Sequence, residues 1–307
     1  MRAGSDRRPR NAGKEFSRLD ERLGRPLEKF GCAAEPRVSY IGSLMPVKQF
    51  IKQSVRKVWR STPESFRRNW LNLAYSETDR LQLGLPTLSG FLQNIRNNGF
   101  SPRTIVDVGA NVGNWSRMAH FVFPQAQIFM LDADRENEGR LQAACADIGN
   151  KSEYAITLLG AQDKDAVTFY KMGFGSSVLP ELTSFPRNQM TLAMETLDGF
   201  LERREFEQPV LLKLDVQGFE LEVLRGALGT LRQSELVLLE VSLLPYNDGA
   251  PLFAEVVAFM GQNGFAAFDF CGQARRQTDH ALFQTDMAFV REESPLRVAR
   301  KFWLHEP

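Results

Sequence analysis

Residues 104 to 115, Thr-Ile-Val-Asp-Val-Gly-Ala-Asn-Val-Gly-Asn-Trp, constrain this chain more than any other stretch. Ile105, Val106 and Val108 form a short run of strand formers that breaks at Gly109. A helical pattern resumes at Trp115, Met118, Phe121 and Val122, so the stretch reads as strand, tight turn and helix N-terminus. Gly109 and Gly113 let backbone come close to a ligand, and free N–H groups at the start of the helix favour a negative or polar group. A nucleotide-like cofactor suits such a turn.

The next strand, Gln127 to Leu131, ends on Asp132, at the distance where doubly wound α/β folds place an acid on ribose hydroxyls. The glycine spacing is G-x-x-x-G, with Asn111 where a dinucleotide fingerprint carries its second glycine and no third glycine following. A pyrophosphate fits poorly against that turn. The amino acid part of S-adenosylmethionine (SAM) fits, with Asp107 facing its ammonium and Ala110 within the turn. SAM is therefore favoured over NAD.

The remaining core alternates. A helix from about 114, a strand over 127 to 131, a helix over 135 to 147 and a strand over 154 to 159 predict a parallel sheet with helices on both faces. A helix over Pro86 to Asn98, with Leu88, Phe91, Leu92 and Ile95 on one face and Gly99 as its cap, is expected to cover the sheet edge before strand one. After Leu159 a polar turn offers Ala161 and Gln162 as contacts for an adenine, or is an ordinary turn. Residues 163 to 195 read either as a loop over the site or as a β-hairpin.

Strand four, Val210 to Leu214, is interrupted by Lys213, a residue almost never buried without a partner. Asp215 lies two residues on, with its side chain on the same side as Lys213. Either the two form a structural ion pair or they belong to a site, and the C-terminal edge of a central strand favours the site. Strand five, Leu236 to Val241, places Glu240 near Asp215. Two carboxylates there suit deprotonation of a hydroxyl or the holding of a divalent metal, for which the spacing supplies no third oxygen ligand. A helix near 251 to 262, a strand from Phe265 to Phe270 and a last strand from Asp286 to Val290 complete the pattern. His120 reads as a packing histidine, and His280 as a weaker base candidate than Asp215 and Glu240.

A formal charge of +1 over 307 residues argues for no polyanionic partner such as nucleic acid. Cys32, Cys145 and Cys271 lie far apart beside only three histidines, which disfavours a disulfide framework or structural zinc and fits a reducing compartment. No run reaches the ~18 to 20 apolar residues of a spanning helix, and no apolar h-region follows the basic N-terminus. A cytoplasmic protein is expected. Residues 1 to 45 read as a disordered or loosely attached basic segment, with Met45 a candidate start, and 46 to 100 as a helical extension. Within it, Val47 to Arg60 is a basic amphipathic helix that packs on its own domain or attaches to an anionic membrane surface or an acidic partner; packing is favoured because the pattern lasts only about three turns. Residues 101 to 292 form the main domain and 293 to 307 a tail.

Together these motifs resemble the FkbM family of SAM-dependent methyltransferases. The resemblance rests on Val-Asp-Val-Gly-Ala-Asn-Val-Gly at 106 to 113, Lys-Leu-Asp-Val-Gln-Gly-Phe-Glu-Leu-Glu-Val-Leu-Arg-Gly at 213 to 226, Leu-Leu-Glu-Val-Ser at 238 to 242 and Leu-Phe-Gln-Thr-Asp-Met-Ala-Phe-Val-Arg at 282 to 291. It covers roughly Leu88 to Arg291 and implies an α/β, doubly wound, Rossmann-like class I methyltransferase sheet of seven strands with an antiparallel last strand. It also implies O-methylation of a hydroxyl on a sugar, polysaccharide precursor or polyketide-type product. Asp107, Gly109, Asn111 and Gly113 match the cofactor turn, Asp132 the ribose acid and Asp215 the aspartate after strand four. Two positions depart: Asp132-Ala133 stands where Glu-Pro is common, and Gln217 where many members carry Glu. Asp215 is thus the first candidate for the acceptor side, Glu240 the second and Lys213 an orienter of Asp215. A methyltransferase-fold module that binds without catalysis, or less readily an NAD-dependent oxidoreductase, is the alternative.

Overall fold

The computed structural model describes residues 87–298. The segments 1 to 45 and Val47 to Arg60, Met45, Pro86 and the end of the tail lie outside them.

Strands β1 (Thr104–Val108), β2 (Gln127–Asp132), β3 (Ser152–Ile156), β7 (Val210–Leu214), β8 (Ser234–Ser242), β9 (Phe265–Arg275) and β10 (Leu282–Arg291) form one sheet in the order β3-β2-β1-β7-β8-β10-β9. The β1–β2, β1–β7, β2–β3 and β7–β8 pairs are parallel, whereas β10 runs antiparallel to both β8 and β9. This is the doubly wound class I methyltransferase sheet with an antiparallel last strand. The order reverses between β1 and β7, and a crevice opens at such a switch point beyond the strands' C-terminal ends.

Alternation along each strand divides the core. Ile105, Ile128, Met130, Leu211 and Leu236 face helices α1 (Leu88–Asn97), α2 (Asn114–Val122) and α3 (Glu138–Ile148). Val106, Val108, Phe129, Leu131, Leu212 and Val237 face α4 (Leu197–Glu202), α5 (Glu220–Arg225), α6 (Leu228–Gln233) and α7 (Phe253–Gln262). Fully buried side chains such as Phe129, Ile105 and Leu131 each contribute about 1.5–3 kcal/mol of transfer free energy. A last short helix, α8, spans Pro295–Val298.

Three elements differ from the sequence reading. Helix α1 is capped by Thr87, whose side chain accepts from Gly90 N, and it lies over a sheet face, with the Phe91 ring 6.3 Å from that of Phe268 on β9. It does not cover an edge beside β1, because β1 is central. The strand expected over 154 to 159 splits at Thr157, whose N–H still donates to Asp132 O while its hydroxyl donates to Glu195 Oε1. Beyond it, β4 (Leu158–Leu159), β6 (Asn188–Glu195) and β5 (Lys164–Lys171) make a second sheet in the order β4-β6-β5. Residues 163 to 195 are thus built on a β-hairpin, and β9 continues to Arg275 as an edge strand with exposed polar positions that mask its periodicity.

Candidate active site

The turn after β1 hangs on the end of β2. Gly109 N and Ala110 N both donate to Leu131 O, Asn111 N donates to Asp132 Oδ2 at 2.7 Å, and Gly113 N donates back to Ala110 O. Gly109 and Gly113 have φ of 74° and 75°, and both are tightly packed: a Cβ on Gly109 would lie 1.9 Å from Asp215 O, and one on Gly113 2.5 Å from Ala144 Cβ. Loop-on-loop and helix-on-helix packing therefore demands these glycines, where the sequence suggested room for a ligand. Gly109 and Asn111 line an open cleft of about 220 Å³; Gly113 and Ala110 do not.

Asp132 closes one end of that cleft. Its Oδ1 accepts from Asp134 N at 2.8 Å and Asn137 Nδ2 at 3.1 Å, so with Asn111 three of roughly four acceptor positions are filled and one remains open. Burial lifts its pKa above the ordinary carboxylate range, against the pull of these hydrogen bonds. Ala133, Leu158, Phe169, Val178 and Phe219 form an adjoining apolar wall. Ala161 and Gln162, expected at an adenine, are not among the lining residues: the crossing at Thr157 carries the chain into the second sheet, so Thr157, Leu158 and Leu159 line the cleft instead.

At the other end β7 sets Lys213 in register with Asp107 of β1. Lys213 Nζ lies 3.0 Å from Asp107 Oδ1, 3.6 Å from Asp215 Oδ2 and 3.3 Å from Gly109 O, and Ser116 Oγ donates to Asp107 Oδ2 at 2.6 Å. Burial alone would pull the ammonium down, but Asp107 and Asp215 outweigh it and hold its pKa above the usual lysine range. Asp107 is wholly buried on the α2 side of the sheet and does not line the cleft, so it holds Lys213 where the sequence had it facing a ligand's ammonium. Lys213 contacts Asp215 as expected, yet its nearer partner is Asp107.

Asp215 and Glu240 are brought together by Gln217, whose Nε2 donates to Asp215 Oδ1 at 3.0 Å and to Glu240 Oε2 at 2.9 Å. Gln217 is held at φ 56°, and Gln284 Nε2 also donates to Glu240 Oε2. Asp215 and Gln217 line the cleft; Glu240 stands behind them. Burial, followed by the charges of Asp215, Glu220 and Asp286, pushes Glu240 well above the carboxylate range. Burial likewise lifts Glu220 to about 7 and Asp286 to about 6.

Sequence reasoning missed Glu220, Asp286 and Gln284. Asp286 carried a signal, being a lone acid in an apolar strand, and it pairs directly with Glu240 across β10 and β8. Neither His120, half-buried on α2 with Nδ1 enclosed and unpaired, nor His280, exposed in the β9–β10 connection, lines the cleft. Among the described residues no group of three or more His, Cys, Asp or Glu is arranged to hold a metal, and no helix is long and apolar enough to cross a membrane.

Among solved structures the chain is similar to the O-methyltransferase TomG from Streptomyces achromogenes, at 14% identity and a TM-score of 0.41, over 69% of this chain and 86% of that one. It is also similar to magnesium protoporphyrin IX methyltransferase from Synechocystis PCC 6803, at 12% identity and a TM-score of 0.40, over 83% and 100% of the two chains. No curated protein matches it. The family model described as the methyltransferase FkbM domain matches residues 107–267, more than half of the sequence. The chain belongs to the FkbM methyltransferase family.

Proposed function

We propose that the protein is a SAM-dependent O-methyltransferase acting on a hydroxyl of a sugar, polysaccharide precursor or polyketide-like product. The observation that carries the reading is a single cleft with a half-buried ribose-type acid and an apolar wall at one end and the Asp215 carboxylate at the other. The donor set fits SAM. Asp132 has one open acceptor position for a ribose hydroxyl, and Ala133, Leu158 and Phe169 give an adenine an apolar seat. The turn offers little to a pyrophosphate, because the N–H groups of Gly109, Ala110, Asn111 and Gly113 already have acceptors. That disfavours NAD.

When bound, SAM supplies a methyl group made electrophilic by its sulfonium. The chain's part is to position the acceptor oxygen and to take its proton. Asp215 Oδ2 is the acceptor for that proton, since Oδ1 is engaged by Gln217. Lys213 holds Asp215 from behind, and Glu240 accepts from the Gln217 amide that bridges it to Asp215. The test is incubation with methyl-labelled SAM and a panel of glycan and polyketide alcohols. Label recovered in a methyl ether supports the reading; label on nitrogen or carbon overturns the O-methyl assignment, and cofactor binding with no transfer to any acceptor favours a non-catalytic module.

A further inference from the structure

The hairpin built on β5 and β6 also walls the cleft. Tyr170 and Ser177 exchange both backbone hydrogen bonds, so residues 172 to 176 close a short loop between them, and Met172 N donates to Ser176 Oγ within it. Gly173, Ser176, Ser177 and Val178 line the cleft from this hairpin, and Asp134 and Asn137 line it from the loop after β2. The hairpin is fastened to both ends of the site. Toward the acceptor end, Ser177 Oγ donates to Gln217 O at 2.9 Å and lies 3.2 Å from Val216 O. Toward the cofactor end, Lys171, the last residue of β5, sets its Nζ 3.2 Å from Asp134 Oδ1 and 2.5 Å from Glu136 Oε1. The Lys171 and Asp134 side chains are 19% and 8% exposed, so solvent screens their pair less than a surface one.

Asp134 is tied in turn to the ribose-type acid. Its N–H donates to Asp132 Oδ1, its own Oδ1 accepts from Glu136 N, and the Arg135–Asn137 turn that it caps brings Asn137 Nδ2 to the same Asp132 oxygen. Asp132, Asp134 and Glu136 place three acids within five residues, and Lys171 is the cation that Asp134 and Glu136 share. We propose that Lys171 is a positioning residue for the cofactor. It does not line the cleft itself. From behind the lining it holds the turn from Asp134 to Asn137, and through that turn Asp132, in the arrangement that receives a ribose hydroxyl, while it straps the 172 to 178 loop to the same wall. The role rests on the SAM reading of the cleft. A lysine suits it, because one ammonium offers three donors to carboxylates on two residues. Without that cation Asp134 is left largely buried and uncompensated, and the turn and the loop lose their common fastening.

The test compares Lys171→Met with Lys171→Arg in the full chain, by two measurements. Without ligand, amide hydrogen exchange should quicken at both 132 to 137 and 170 to 178 in Lys171→Met and stay near the parent in Lys171→Arg. By isothermal titration, Lys171→Met should bind S-adenosylhomocysteine about threefold to tenfold more weakly, between the effect of an exposed ion pair and that of a charged hydrogen bond. Lys171→Arg should restore most of that affinity. High salt should weaken the parent more than Lys171→Met, since only the parent keeps the pair to be screened. Exchange that is unchanged in both segments, or a parent that binds with Lys171→Met binding equally well, overturns the proposal alone. A parent that binds no S-adenosylhomocysteine overturns the cofactor reading together with it.

Discussion

Replacing Lys213 by Met removes the cation from the most deeply buried ion pair of the site. The Lys213 side chain is 9% exposed and that of Asp107 0%, they approach to 3.0 Å, and Asp107 has Ser116 as its further donor. Deleting one partner of such a pair leaves a buried charge and costs about 3–5 kcal/mol, where an exposed pair would cost under ~1 kcal/mol. For a domain of this size each kcal/mol shifts Tm by about 2–4 °C, so Lys213→Met should melt roughly 6–20 °C below the parent in calorimetry. Replacing both partners by apolar residues of similar volume, Asp107→Leu with Lys213→Met, should recover most of that loss. The pH dependence has a definite sign. The Lys213 pKa is raised on folding, so its contribution is fully present below the unfolded lysine value and is lost only as pH rises through the folded one. The deficit of Lys213→Met should therefore be level between pH 6 and 9. A single variant within ~1 kcal/mol of the parent, or a double variant that loses the sum of the singles, would refute a coupled buried pair.

Gly109→Ala should destabilise the fold by more than ~1 kcal/mol and abolish S-adenosylhomocysteine binding, since its methyl would sit 1.9 Å from Asp215 O at a φ of 74°; thermal melts with and without ligand read both effects. Glu220 titrates near 7 in the folded chain, above its unfolded value, so stability should fall as pH rises from about 4.5 to 7 at up to roughly 1.4 kcal/mol per unit. Urea titrations across that window should lose the slope in Glu220→Gln. Gln162→Ala should leave S-adenosylhomocysteine affinity within about twofold, whereas Leu158→Ala, which removes part of the cleft wall, should weaken it by about tenfold, on the scale of 1–3 kcal/mol for buried apolar contact.

The order of strands and helices was legible because buried parallel strands such as Val210 to Leu214 are short apolar runs, and their helices carry a 3.6-residue period. Asp132, Asp215 and Glu240 were legible as carboxylates at strand ends, where doubly wound sheets gather ligands. What escaped depends on long-range packing. Nothing local to Gly113 says that Ala144 will press on it, and nothing local to Asp107 says that Lys213, more than a hundred residues on, will claim its carboxylate. The wrong placement of Ala161 and Gln162 has a similar origin. A strand that crosses from one sheet to another at Thr157 keeps its apolar pattern, so Leu158 and Leu159 read as a continuation of β3. Gln217 looked like a lost base because its residue type was compared without its geometry; in place, its amide supplies one N–H to each of two carboxylates.

The central claim, that the cleft between Asp132 and Asp215 is a SAM site, is tested most directly by isothermal titration of the purified protein with S-adenosylhomocysteine, run beside NAD. Micromolar binding of S-adenosylhomocysteine alone, lost in Asp132→Ala, is the predicted result. Binding of NAD instead, or of neither compound, would contradict it.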